Sequence, residues 1–296
     1  MSKTKISNGV DNNLKIGFIG QGFIGKNYAN DFEERGLTIV RYDIESYADN
    51  KEKIKDCDIV LIAVPTPTTP DGFDYSILKA VLPLVGKGKI AVVKSTIQVG
   101  TTKKLQELNP DIIVMHSPEF LTEKTAAEDA RHPDRNIIGI TDINNKDLHA
   151  KAKTVLSVLA KAPYNKIVQV ENAEMTKYGG NCWFYFKIIF MNILYDLAEK
   201  HGLDYEVIKE NMAHDLRIGP THLAVLHQGR VDIDQKPGRG AGGHCFIKDF
   251  ESFIEMLDEG GLDEQKKVCE VIRNMNLKYL RASGKDIDLL EETYGK

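Results

Sequence analysis

From Leu14 to about Val170, short apolar runs alternate with polar intervals of helix length, and no other feature restricts the fold of this chain as strongly. Runs that are apolar throughout, rather than at every second position, suit strands covered by helices on both faces. Six strands are expected, near Lys15–Ile19, Leu37–Tyr42, Asp58–Val64, Lys89–Lys94, Asp111–His116 and Asn136–Ile140. Strand and helix in alternation predict an α/β domain built on a doubly wound, mostly parallel sheet. From Glu171 to Lys200 the pattern becomes one long helix, closed by Gly202, and helices resume at about 249–260 and 263–282. The chain of 296 residues thus reads as two domains, 1–170 and a mainly helical 171–296 with a long central helix. Gly219–His244 is expected to be a long loop, and the last dozen residues to be frayed.

Charge and composition exclude several classes of partner. Lys and Arg total 39 against 43 Asp and Glu, a net charge of −4, so no surface for nucleic acid is expected. The most apolar stretch, Cys182–Leu194, is 13 residues long and broken by Lys187 and Asn192. A bilayer needs about 20, so no membrane span is expected. Met1–Asn13 is polar and lacks the apolar core of an export signal, which points to a cytoplasmic protein. Cys57, Cys182, Cys245 and Cys269 stand far apart with no Cys-x-x-Cys pair, so neither a disulfide framework nor a metal site is expected.

Gly20-Gln21-Gly22-Phe23-Ile24-Gly25 follows the first strand and opens a helix. That context is the Rossmann fingerprint: the glycines allow a tight turn and close approach to a pyrophosphate, while the helix N-terminus offers free N–H groups. Asp43 closes the second strand, where a carboxylate accepts hydrogen bonds from an adenosine ribose and repels a 2′-phosphate. NAD is therefore the expected cofactor. Val64-Pro65-Thr66 and Lys94-Ser95-Thr96 end the third and fourth strands, where α/β sheets bind ligands, although either could be an ordinary loop.

Glu119 and Glu123 leave the fifth strand four residues apart, and share one face if the segment is helical after Pro118. They read either as a surface pair or as a general base, Glu119, half shielded by Phe120 and Leu121. Lys177 and Asn181 are also four apart, on a helix whose Met175, Tyr178, Trp183, Phe186, Ile189, Phe190 and Ile193 read as core. The lysine either snorkels to water or joins the amide in clamping a developing alkoxide. In Gly242-Gly243-His244-Cys245-Phe246-Ile247-Lys248-Asp249 the glycines clear one side of Cys245, their N–H groups can face an oxyanion, and Lys248 could acidify the thiol. The other reading of Cys245 is a small buried hydrophobe, which is the one adopted for Cys57, Cys182 and Cys269.

Taken in order, these motifs, with Pro133-Asp134-Arg135 and Asp215-Leu216-Arg217-Ile218-Gly219, resemble the UDP-glucose/GDP-mannose dehydrogenase family from about Lys15 to Asp249. The resemblance implies NAD-dependent oxidation of a nucleotide-sugar CH₂OH to a carboxylate, such as UDP-glucose to UDP-glucuronate, in polysaccharide biosynthesis. It also implies a homodimer paired through the long helix. By the same resemblance Cys245 is the nucleophile and Glu119 the base for thioester hydrolysis, with Thr96, Lys177, Asn181 and Asp249 handling water and oxyanion. Gly20, Gly22, Phe23, Ile24, Gly25, Asp43, Val64, Pro65, Thr66, Thr96, Glu123 and Lys248 are implied cofactor contacts. Glu119, Phe120, Leu121, Lys177, Asn181, Arg217, Gly242 and Gly243 are implied substrate contacts, Arg217 from a neighbouring subunit.

The four-electron chemistry needs a thiolate, which retains the half-oxidised carbon as a hemithioacetal and then as a thioester. Ala241, Ile247 and Ile193 depart from the residues usual in the family. Only 47 residues follow Asp249, so the family's second doubly wound domain is not expected here. Two rival readings remain: a two-electron β-hydroxyacid-type dehydrogenase, which needs no cysteine, and a non-catalytic NAD-binding protein.

Overall fold

The computed structural model describes residues 14–228 and 235–295. In chain order the elements are β1 (Lys15–Ile19), α1 (Phe23–Glu34), β2 (Thr38–Tyr42), β3 (Ile59–Ile62), β4 (Thr68–Thr69), β5 (Gly72–Phe73), α2 (Ser76–Val81), β6 (Ile90–Val93), α3 (Thr101–Leu108) and β7 (Ile113–His116). They continue with α4 (Ala126–Arg131), β8 (Arg135–Ile140), α5 (Lys146–Val158), β9 (Tyr164–Gln169), α6 (Val170–Lys200), α7 (Tyr205–Ala213), β10 (Leu226–His227), β11 (Gly238–Arg239), α8 (Gly243–Glu259), α9 (Asp263–Ser283) and α10 (Ile287–Tyr294). The chain forms two compact units. The first holds the described residues up to Thr66 together with Tyr75–Lys177, and the second holds Pro67–Asp74 and the described residues from Tyr178 onward.

The first unit is a seven-stranded sheet in the order β2-β1-β3-β6-β7-β8-β9. All pairs are parallel except β7 with β8, which meet at His116 and Gly139. All six expected strands are present. β9 was not expected, because its Tyr-Asn-Lys start is polar and exposed at the sheet edge. The core gathers Ile16, Phe18, Phe32, Leu61, Val92, Met115, Ile138 and Val155 from strands and flanking helices. Strand order reverses between β1 and β3, and the carboxyl ends at such a switch point border the crevice where α/β sheets bind ligands.

Helix α3 starts at Gly100 without a side-chain cap of its own. Glu174, fully buried on α6, supplies one: its carboxylate accepts from the Gly100 N–H at 2.6 Å, the Thr102 N–H at 2.8 Å and the Thr102 hydroxyl at 2.6 Å. Burial pushes the Glu174 pKa up while these three donors pull it down. Glu174→Ala strands those donors, of which the two on Thr102 are buried, and at about 1–3 kcal/mol per unsatisfied buried group the expected loss is about 2–6 kcal/mol. A lower urea midpoint with an unchanged slope is the signature; an unmoved midpoint would contradict this account.

The second unit is helical, as expected, but several boundaries differ. α8 begins at Gly243, six residues before the expected start, so Cys245 lies in a helical turn rather than in a loop. The chain end is not frayed: Leu289 and Leu290 of α10 pack with Ile247 and Leu280. The expected loop 219–244 carries the short antiparallel pair β10 and β11, while its residues 229–234 lie outside the described residues. Along α6, Tyr178, Tyr185 and Ile189 are buried, whereas Met175, Trp183, Phe190 and Ile193, expected in the core, are exposed. A 31-residue helix apolar on most sides cannot bury every face against one small unit, so periodicity alone does not mark the inner one.

Candidate active site

The fingerprint residues of the first unit adopt the geometry their spacing predicts. Gly20 has φ +88°, and a side-chain carbon there would lie 2.2 Å from the Ala63 carbonyl oxygen. One on Gly25 would lie 1.9 Å from the Gly20 carbonyl oxygen, whereas one on Gly22 would stand in open space. The first and third glycines thus close the turn and seat the helix, and the second leaves bare backbone for a ligand. Gly22 is the N-cap of α1 and brings no side-chain hydrogen bond, so the first-turn N–H groups fit a pyrophosphate. Asp43 stands beside the turn, accepting from the Gln21 N–H at 2.8 Å and the Glu45 N–H at 3.0 Å.

At the carboxyl ends of β3 and β6 the two loops are laced together. Ser95 Oγ accepts from the Val64 N–H at 3.0 Å and donates to the Val64 carbonyl at 2.6 Å, and Thr66 Oγ1 donates to the Thr96 carbonyl at 2.7 Å. Beyond β7, Glu119 is 4% exposed and pairs with the Lys177 ammonium, 6% exposed, at 2.8 Å; its other oxygen accepts from the Leu121 N–H at 2.8 Å. This engagement holds 117–122 out of helix, and α4 begins only at Ala126. The shared helical face conceived for Glu119 and Glu123 is therefore absent: Glu119 is buried and Glu123 exposed. Phe120 is covered by the Arg135 guanidinium, 3.8 Å from its ring centre.

Two buried bases adjoin this ion pair: Lys94, the first residue of the Lys94-Ser95-Thr96 motif, and His116, which sequence reading did not single out. Lys94, 3% exposed, donates to Ser117 Oγ at 3.1 Å and lies 4.5 Å from the Tyr28 ring centre. Burial pulls its pKa down to about 7, with Glu119 opposing and Lys177 adding to the shift. The motif marked its place at a strand end but not its burial. His116 is fully buried at the end of β7, and burial, then the Lys94 charge, holds its pKa at about 3.

An unfolded histidine titrates near 6.5, so between about pH 6.5 and 3 the unfolded chain binds more protons and stability falls as pH falls. The slope from this residue reaches ~1.4 kcal/mol per pH unit, and above pH 6.5 it vanishes. His116→Gln is expected to flatten the acid limb in urea titrations between about pH 7 and 4.5. The same slope in both proteins would remove His116 as its source.

In the second unit, Cys245 is exposed in the first turn of α8. Cys57, Cys182 and Cys269 are buried, as expected for packing residues, and burial pushes the Cys57 thiol up to about 11. Asp249, 1% exposed, accepts from Asn181 Nδ2 at 2.6 Å and pairs with Lys248 Nζ at 2.5 Å. Lys248, which could acidify the thiol, is thus paired with a carboxylate. The Gly243 N–H, expected to face an oxyanion, donates instead to Asp286 at 2.7 Å. Arg217 pairs with Asp215 at 2.6 Å on an exposed loop, its side chain 89% exposed.

A switch-point crevice with an intact glycine fingerprint defines a dinucleotide-binding α/β protein. Residues 45–157 match the NAD-binding domain model of the UDP-glucose/GDP-mannose dehydrogenase family, and residues 171–278 match its central domain. The chain belongs to that family, and its first unit carries the family's NAD-binding domain. It is 31% identical to the UDP-glucose 6-dehydrogenase of Pseudomonas aeruginosa, over 83% of this chain and 52% of that protein. It is 28% identical to UDP-glucose 6-dehydrogenase TuaD of Bacillus subtilis, over 83% of this chain and 60% of that one. The chain therefore spans little more than half the length of these curated relatives. A UDP-glucose dehydrogenase structure from Pyrobaculum islandicum superposes with a TM-score of 0.77 at 26% identity, covering 95% of this chain and 71% of that one. Among the described residues no helix is long and apolar enough to cross a membrane.

Proposed function

We propose that this chain oxidises the primary alcohol of a nucleotide sugar to the carboxylate in four electrons, through a covalent intermediate on Cys245. UDP-glucose is the substrate that the names of its relatives indicate, and a role in polysaccharide biosynthesis in the cytoplasm would follow. The reading rests chiefly on the exposed thiol in the first turn of α8, where a helix N-terminus favours thiolate.

Gly20, Gly22, Phe23, Ile24 and Gly25 would hold the NAD pyrophosphate and Asp43 the adenosine ribose, with Val64, Pro65, Thr66, Thr96, Glu123 and Lys248 as further contacts. NAD, when bound, accepts a hydride in each of the two oxidations. The Cys245 thiolate adds to the aldehyde carbon, giving a hemithioacetal; loss of a second hydride leaves a thioester. Glu119 takes a proton from water, hydroxide displaces the thiolate, and the carboxylate leaves. One alcohol, one water and two NAD⁺ give one carboxylate, two NADH and three protons. Lys177 and Asn181 stabilise the tetrahedral oxyanions, Asp249 orients Asn181, and Thr96 orders the attacking water. Phe120, Leu121 and the backbone at Gly242 would line the sugar.

Trp183, Phe190, Ile193 and Leu197 form an exposed apolar stripe at helical spacing on α6, which supports a homodimer paired through that helix. Arg217 would then serve the partner's substrate. A monomer by light scattering overturns this part. Incubation with NAD and a panel of UDP- and GDP-sugars tests the whole: two NADH per sugar consumed are expected, and one per sugar rejects the four-electron reaction.

A further inference from the structure

The segment before Cys245 is held by the end of α9 and the corner between α9 and α10. The Arg239 N–H donates to Ser283 Oγ at 3.0 Å, and the Lys285 ammonium reaches the Gly240 carbonyl at 3.4 Å. Asn276 brackets Ala241, accepting from its N–H at 2.7 Å and donating to its carbonyl at 2.9 Å. Asp286 Oδ2 accepts from the Gly243 N–H at 2.7 Å. So close is the fit that a side-chain carbon on Gly242 would lie 2.0 Å from the same carboxylate oxygen.

Asp286 is an unfavourable residue for this corner on local grounds. Its φ of +55° lies in the left-handed region, which glycine or asparagine adopts more readily. Its carboxylate is fully buried, and among the described residues Oδ1 has no hydrogen-bond partner. Such strain persists where surrounding structure enforces it, and it concentrates at working sites. The group it holds is the first residue of α8, two positions before Cys245.

We propose that Asp286 is a positioning residue for Cys245: its carboxylate anchors the Gly243 N–H, fixing the first turn of α8 and with it the direction of the thiol. The family's central domain match ends at residue 278, so the anchor comes from a part of the chain outside that match. The inference deepens the proposed cysteine chemistry and rests on it.

Asp286→Gly relieves the backbone strain while deleting the acceptor, and Asp286→Asn keeps an acceptor in the same place. In Asp286→Gly, amide exchange of segment 238–247 is expected to quicken about tenfold or more with the melting temperature little changed. NADH formation should fall about tenfold in kcat, with KM within about twofold. Asp286→Asn should restore both to within about twofold of the unaltered chain. Unchanged exchange and kcat in Asp286→Gly overturn the inference, as does an Asp286→Asn variant equally impaired. Should the glycine variant melt below assay temperature, Asp286→Ala is read under the same criteria. If the unaltered chain forms no NADH from any sugar nucleotide, the proposed activity fails, and the exchange comparison alone decides the role of Asp286.

Discussion

Cys245→Ala is expected to lower carboxylate formation from a nucleotide sugar by about a thousandfold or more, with NAD affinity within about twofold. Without the thiolate, nothing holds the aldehyde for a second hydride loss, so NADH formed per sugar should drop from two to one or less. The exposed position of the thiol makes alanine a mild change for the fold, and the melting temperature should barely move. One NADH per sugar at an unchanged rate in both the unaltered chain and Cys245→Ala would identify a two-electron dehydrogenase instead.

Lys177→Met is expected to affect both stability and turnover. Glu119 is buried, and loss of its 2.8 Å ammonium partner leaves a carboxylate that accepts from the Leu121 N–H and has Lys94 as a nearby cation. Breaking one side of a buried ion pair costs about 3–5 kcal/mol, which for a unit of this size lowers the melting temperature by about 6–20 °C. Adding Glu119→Gln to Lys177→Met removes the stranded charge and should recover much of that stability. Turnover should stay at least about a hundredfold down in both, because an oxyanion donor is missing. If Glu119→Gln recovers nothing, the pair does not carry the stability assigned to it.

Local chemistry was the legible part of the fold and the site. The central strands showed themselves as apolar runs, and Gly20, Gly22, Gly25 and Asp43 as a spaced motif, because each depends on neighbours within one βαβ unit. β9 escaped because an edge strand needs little apolar surface. The start of α8 escaped because two glycines resist helix by propensity, and the anchor at Asp286 lies 43 residues from Gly243. The buried face of α6 was unreadable for a different reason: Trp183 and Tyr185 are equally apolar in sequence, and only packing separates them. His116 carries no motif at all, and the motif that holds Lys94 says nothing of its burial; the shifted protonation of both arises from enclosure.

The corner at Ser283–Asp286 also bears on how this protein can be cut down for study. A truncation designed at residue 278, where the family match stops, would keep every recognisable motif yet discard the hydroxyl, ammonium and carboxylate that grip the cysteine turn. Such a fragment would look complete to an alignment while the first turn of its nucleophile's helix had only the Asn276 bracket on Ala241 to hold it. The practical boundary of this unit is set by α10, whose Leu289 and Leu290 clamp the corner in place.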